Sequence, residues 1–375
     1  MNFLGISSPI DLTLLLSIFL VIDVLIYAFR KKKIMLSKYI IISIITLLLF
    51  YFLLIISKIY SPSHDYALKK IFYFNLNIIA YLYPLLKSNF NLKKFIKLLI
   101  YVGLFFGIIN LLYFGLYLSK IIDYQQFSKV SGDYIGIGIL LGLNVILLSF
   151  PEIKKLFKGE TRLVFYFLSI VLLLFSGARG PILFTLITLF FLYVFQKNNI
   201  NLTIFRIVNI KRFIVFLIGI ILIIVVIILF KDVFFLVSKR YIQLIEGFVF
   251  GKSSGGYDLR KEYIDFVLIH SRDGFLEFFF GHGVGSFGYY FLGEDIELYP
   301  HNLILEILFE LGICGILLFV VFVIFSINNQ FKNRLILYSI FFIFLNSLKS
   351  FSIIELRMLF GLLAIINLKI ENESR

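Results

Sequence analysis

The chain is written in long apolar runs separated by short polar connections. Runs near 10–29, 38–57, 70–86, 96–118, 132–150, 161–176, 180–195, 212–230, 303–326, 335–348 and 352–368 carry few charges. Most of them approach the roughly 20 residues that a helix needs to cross a bilayer. The stretch 161–195 needs a decision. As one helix it would measure about 52 Å, too long for a single crossing of a hydrocarbon core of roughly 30 Å. Ser176-Gly177-Ala178-Arg179-Gly180-Pro181 interrupts it near the middle, so the pattern predicts a hairpin of two spans. The expected fold is all-α: a polytopic transmembrane helical bundle of about eleven spans, forming a single integral membrane domain over 1–375. One large extracytoplasmic loop, 231–300, lies between the spans at 212–230 and 303–326.

Composition supports a membrane chain. Hydrophobic residues make up 61% and charged residues 15%, against about 45–50% and about 25% in soluble domains. A soluble chain of this mixture could not cover its surface, whereas lipid tails solvate apolar side chains around helices that satisfy their own backbone. The 47 Phe and the bias toward Ile, Leu, Lys and Asn reflect AT-rich coding. The single Cys314 excludes a disulfide, and His64, His270, His282 and His301 are too scattered for a zinc motif. No cofactor or metal is implied. Residues 10–29 are followed by Arg30-Lys31-Lys32-Lys33, which reads as a retained first helix.

Charge then assigns sides. Every second connection is rich in Lys and Arg: Arg30–Lys38, Lys87–Lys97, Lys154–Arg162, Lys197–Arg212, Lys332–Arg334 and the tail with Lys369 and Arg375. The intervening connections are poorer, apart from the long loop, which the positive-inside rule discounts. The N-terminus is therefore expected outside and the C-terminus in the cytoplasm. Both flanks of the 161–195 hairpin are basic, as two spans require. The net charge of +14 is a topology signal plus attraction to anionic lipid, and it gives no support to nucleic-acid binding. Arg179, the loop 231–300 and His301 all fall on the outer face.

The loop carries structure of its own. Val233–Phe250 reads as an amphipathic helix, Lys252–Gly256 as a turn, and Tyr257–Ile269, with Arg260, as a second helix. Gly281-His282-Gly283-Val284-Gly285-Ser286-Phe287 follows. Closely spaced glycines such as Gly283 and Gly285 let backbone N–H groups approach an anion; a tight turn returning the loop to the membrane explains them equally. At the start of the ninth span, Asn302, Glu306 and Glu310 recur every four residues and share a helical face. Carboxylates there need a polar cavity or a partner, so they either bind substrate or pair with a basic residue near the outer surface. His301 is either a reacting group or a cap at the membrane surface. Arg179 sits in a Gly/Pro framework at the outer tip of a hairpin, which either serves the arginine or only the turn. Taken together, guanidinium groups, a histidine and carboxylates at head-group depth suit a lipid with a diphosphate head. The matching chemistry is displacement of that diphosphate at a sugar anomeric carbon. Arginine offsets charge on the leaving group, and His or Glu accepts the proton of the attacking hydroxyl.

Ser176-Gly177-Ala178-Arg179-Gly180, Arg260, Gly281–Phe287, and His301-Asn302 followed by Gly312-x-x-Gly315 form a set that resembles the O-antigen polymerase and O-antigen ligase-like family over about 160–325. The resemblance implies a membrane glycosyltransferase of the GT-C type in the inner (cytoplasmic) membrane, with its active site facing the periplasm. Its donor would be an undecaprenyl-diphosphate-linked oligosaccharide, used without a metal or other cofactor. A chain-length regulator protein is a further partner in that reading, and the lipid bilayer is the surrounding one. By the same resemblance Arg179 and Arg260 would hold the diphosphate and His301 would stand at the reaction centre. Ligase-type members carry about twelve spans with both termini inside, against eleven here, so either a twelfth span goes uncounted or the N-terminal end differs. A polymerase and a ligase share the donor site and differ in acceptor. Composition tilts toward the polymerase, because polymerase genes are often found in AT-rich polysaccharide clusters. A transporter or flippase of lipid-linked oligosaccharide also accounts for the hydrophobicity, but internal repeats and broken mid-membrane helices, which transporters often show, are not evident in the sequence.

Overall fold

The computed structural model describes residues 18–23, 26, 37–86, 90–119, 121, 134–157, 159–196, 255–327 and 333–367. The expected span at 212–230 and the first part of the loop, 231–254, lie outside the described residues, as does most of 10–29. All regular structure among the described residues is helical. The helices are α1 (Lys38–Ser57), α2 (Asp65–Leu86), α3 (Leu92–Leu118), α4 (Tyr134–Ser149), α5 (Gly159–Phe175), α6 (Arg179–Gln196), α7 (Gly255–His270), α8 (Phe275–Phe280), α9 (Phe287–Leu292), α10 (Leu303–Ile327), α11 (Arg334–Ser350) and α12 (Arg357–Ile365). Three of them, Lys38–Ser57, Leu92–Tyr117 and Leu303–Ile327, are long and apolar enough to cross a membrane. The other described runs also form helices, but shorter or more polar ones. By this measure the expected count of eleven is met only in part.

Contacts divide the chain into two units, one from Ser7–Phe95 with Gly255–Arg375 and one from Ile96–Ser254. In the first unit α1 packs along α10, and α2 packs along α12. Helix α1 shows why this is a lipid-adapted unit. Ser37 caps its start by accepting from the Ile40 N–H (3.3 Å). Its buried face runs Ile40, Ser43, Leu47, Phe50, Leu54, Ser57 at helical spacing. Its exposed face is Ile41, Ile45, Leu48, Leu49, Phe52 and Ile55, all apolar. The small hydroxyls are inside and the large aliphatic groups outside, the reverse of a surface helix in water. Phe50 packs on Phe74 and Phe319, and Tyr81 on Phe322. The buried Tyr81 hydroxyl is satisfied by Ser43 Oγ (2.5 Å) and Ser326 Oγ (3.0 Å).

Helix ends in this unit agree with the alternation of sides read from charge. The turns after α1, before α10 and after α11 meet at one end, where Ser57, Ser61 and Ser63 bond to residues 284 and 295. At the other end Tyr83 donates to Asp23 Oδ2 (3.0 Å) and Asn367 Nδ2 donates to the Ser326 carbonyl (2.8 Å).

In the second unit α4 is buried almost all round and packs against α5 and α6. Asn144 donates to the Ile100 carbonyl (3.0 Å). The expected hairpin is present: α5 ends at Phe175 and α6 begins at Arg179, with Gly177 at φ 68° between them. Ser176 Oγ donates to the Leu173 carbonyl and accepts from the Ala178 N–H, which tightens the turn. Gly138 lets α4 approach this turn, since a Cβ there would lie 2.4 Å from the Ala178 Cβ.

Candidate functional site at the start of helix α10

The loop between α7 and α10 is pinned by a break in α10. Gly312 leaves helical geometry (φ 65°, ψ −164°), which splits α10 into an upper part from Leu303 and a lower part to Ile327. A break frees the carbonyls of the turn before it. The Phe309 carbonyl accepts from the His282 N–H (2.8 Å), and the Glu310 carbonyl accepts from the Gly283 N–H (3.0 Å). Gly281 (φ 74°) and Gly312 allow the two backbones to touch: a Cβ on either would lie 2.4 Å from a backbone carbon of the other segment. The Val284 N–H donates to Ser57 Oγ (3.1 Å), and its carbonyl accepts from Ser61 Oγ (2.7 Å). The glycine run is thus a clasp tying the loop to α10 and to the end of α1. The N–H groups of His282, Gly283 and Val284 serve the protein, in keeping with the tight-turn reading of Gly283 and Gly285.

Asp295 joins the loop to α2. Its carboxylate accepts from Ser63 Oγ (2.6 Å), the His64 N–H (2.8 Å) and the Asp65 N–H (2.9 Å), so it caps the start of that helix. Partial burial pushes its acidity down, but these hydrogen bonds outweigh burial and hold the carboxyl below the usual aspartate range. Lys69 and Glu297 form an exposed ion pair beside it.

His301 stands immediately before α10 in a left-handed conformation (φ 53°) that is uncommon for a residue with a Cβ. Its ring lies 4.4 Å from that of Tyr299 and 6.3 Å from that of Tyr263. Tyr263 belongs to an aromatic cluster with Phe287, Phe309, Phe266 and Phe291 that seats α7 and α9 against α10. Arg260, one turn before Tyr263 on α7, is thereby held near His301. Burial, and then the Arg260 charge, push the imidazole below its ordinary value, with Glu306 opposing them. His301 is therefore neutral at neutral pH, as a proton acceptor must be.

The polar positions of α10 are occupied by the protein. Asn302 Oδ1 accepts from the Ile304 and Leu305 N–H groups (3.0 and 3.1 Å) and caps the helix. Glu306 and Glu310 are buried and both paired with Lys70 of α2, the Glu310 contact at 2.5 Å. This is the basic partner that two membrane carboxylates call for. Glu306 also accepts from Ser352 Oγ (2.7 Å) and the Ile353 N–H (2.9 Å). Lys70, Ser352 and Tyr299 escape a sequence reading. Lys70 sits at the edge of an apolar run, where a cation reads as a topology signal. Arg179 lies in the second unit, half-buried at the first residue of α6.

The comparison with protein families bears on this geometry. Residues 164–320 match the O-antigen ligase family. The chain matches no curated protein. The O-antigen ligase match spans Arg179, Arg260, the glycine clasp, His301 and the upper part of α10, and it agrees with the resemblance carried by those motifs. Over this segment the chain is similar to the O-antigen ligase family, and its long apolar helices are those of a membrane protein.

Proposed function

We propose that the protein is a surface-polysaccharide polymerase. It transfers glycan from an undecaprenyl-diphosphate-linked oligosaccharide onto a growing chain at the outer face of the cytoplasmic membrane. The observation that carries this reading is the place of His301 at the start of α10 beside Tyr299 and Tyr263, with Arg260 one turn before Tyr263 on α7, inside the segment that matches the O-antigen ligase family. The acceptor hydroxyl oxygen bonds to the anomeric carbon of the donor. The bond from that carbon to the diphosphate oxygen breaks, and the diphosphate leaves with the electron pair. The hydroxyl proton passes to a ring nitrogen of His301, and Arg260 offsets charge gathering on the diphosphate. The role of Arg179 in binding the diphosphate rests on the sequence alone. A chain-length regulator is the expected protein partner. The AT-rich composition tilts the reading toward polymerisation over ligation.

A deletion strain complemented at matched expression tests this. Wild type restores a long-chain glycan ladder. His301→Ala is expected to lower transfer by about 10²–10⁴-fold, the usual contribution of a general base, and Arg260→Ala and Arg179→Ala are expected to abolish the ladder. A deletion strain with a single repeat on lipid A-core marks a polymerase. Loss of every repeat, with polymer left on the carrier, marks a ligase. An unchanged ladder overturns the enzymatic reading in favour of transport.

A further inference from the structure

Helix α8 is the part of the loop that an aqueous surface does not explain. It reads Phe275-Leu276-Glu277-Phe278-Phe279-Phe280, and none of its five apolar residues is buried. Phe275 is 75% exposed and Leu276 65%, and Phe278 and Phe280 are exposed as well. Surfaces in water rarely gather large apolar side chains in this way. The exposure does not come from a loose end. Helix α8 packs along α10, the Phe280 carbonyl accepts from the Tyr60 hydroxyl (2.7 Å), and the Phe279 backbone lies against Gly312. The one carboxylate of α8, on Glu277, folds back over Gly274 at the start of the helix, where a Cβ would meet it. Polar groups gather in the turn before the helix, where His270 Nδ1 lies 2.7 Å from Asp273 Oδ2 beside an exposed Arg272.

The height of α8 follows from α1. The 20 residues Lys38–Ser57 make about 30 Å of helix, the thickness of the hydrocarbon core. The basic connection before α1 assigns its start to the cytoplasm, so Ser57 marks the outer boundary. There Ser57 Oγ accepts from the Val284 N–H, just past the end of α8, and Tyr60 holds Phe280. Helix α8 therefore lies level with the outer edge of the core. Beside Tyr60, Ile59 is 84% exposed, and exposed apolar side chains continue down α1 through Ile56, Ile55 and Phe52. The bare face of α8 continues the lipid-facing surface of α1.

We propose that α8 is an interfacial helix whose partner is the lipid of the outer leaflet: Phe275, Leu276 and Phe278 stand among the acyl chains, while the turn at 270–273 stays with the head groups. Tyr60, which ties α8 down, is of the residue type enriched at membrane interfaces. Helix α8 thereby fixes the height of the glycine clasp in the leaflet. This contact does not rest on the glycosyl-transfer reading.

The chain contains no tryptophan, so a single introduced one reports alone. Full-length Phe275→Trp and Leu276→Trp are reconstituted in vesicles of phosphatidylethanolamine and phosphatidylglycerol, either plain or brominated on the acyl chains. Bromine quenches indole fluorescence only on contact. Leu317→Trp, on the exposed face of lower α10, supplies the lipid reference, and Glu294→Trp, in the exposed loop, supplies the water reference. Both α8 variants are expected to emit at short wavelength and to lose most of that emission in brominated lipid, as Leu317→Trp does. Long-wavelength, unquenched emission, as from Glu294→Trp, puts the face in water and overturns the proposal. Short-wavelength emission that bromine leaves unquenched means that protein covers the face, from this chain or a second copy, and overturns it equally. Both positions must be quenched where both variants fold, and if one does not fold the other decides.

Discussion

His301 combines a strained backbone with a neutral ring. A left-handed conformation costs a residue with a Cβ of order 1–3 kcal/mol, and it persists where surrounding contacts over-determine it. His301→Gly should relieve that strain and raise Tm slightly while removing the proposed base, so stability and activity are expected to move in opposite directions in this one variant. Its titration has a clear sign. The folded value lies below the ordinary 6.5, so as pH falls past 6.5 the unfolded chain takes up a proton that the folded chain resists. The folded state therefore loses stability on that side and is unaffected above it. In activity the acidic limb of the pH profile should lie below 6.5; a limb at or above that value would count against His301 as the base. At this scale the sequence marked Arg260 and His301 by motif, and the fold sets Arg260 one turn from Tyr263, whose ring faces His301. It was silent at Lys70, whose partners are 236 and 240 positions away along the chain. Glu306 and Glu310 announce the need for a cation, but nothing local says which one answers.

Among the elements, the clasp on α10 depends on glycine for geometric reasons. Gly312→Ala puts a Cβ at φ 65° and 2.4 Å from the Phe279 carbonyl carbon. Strain and overpacking each cost of order 1–3 kcal/mol, so a marked fall in Tm is expected by thermal unfolding in nanodiscs. Gly293→Ala, at φ 79° but with open space around it, should cost only the strain. Asp295→Asn tests the tie between the loop and α2. The wild-type contribution is present above the ordinary aspartate range and lost as pH falls through the lower folded value. The stability gap between the two proteins should therefore close in strong acid, and a gap that persists there would remove the charge from the explanation. The runs that form α1, α2, α3, α4, α5, α6, α10 and α11 were legible from hydropathy alone, and so was the α5–α6 turn from its Gly/Pro framework. The break inside α10 was not. Gly312 and Gly315 read as a helix-packing pair, and only the loop lying across Gly312 reveals that the helix is interrupted there.

For the whole molecule, charge predicts a membrane orientation that labelling can test. In a Cys314→Ser background, Glu294→Cys in the exposed loop should react with a membrane-impermeant maleimide in intact cells, and Arg334→Cys should react only after lysis. The opposite pattern would invert the orientation. The break at Gly312 has a last consequence, for rotational phase. In a continuous helix each residue inserted or deleted turns everything beyond it by about 100°. Here the upper part of α10 is held by the clasp, by Lys70 and by the turn at 352–353, and the backbone leaves helical geometry at Gly312. A one-residue change in the lower part would re-aim the lipid-facing residues without turning the face that carries Glu306 and Glu310. The lower part takes its own phase from Phe319, Phe322 and Ser326 packed on α1 and α2, so the two parts are aimed separately, as a tool head is on a jointed shaft.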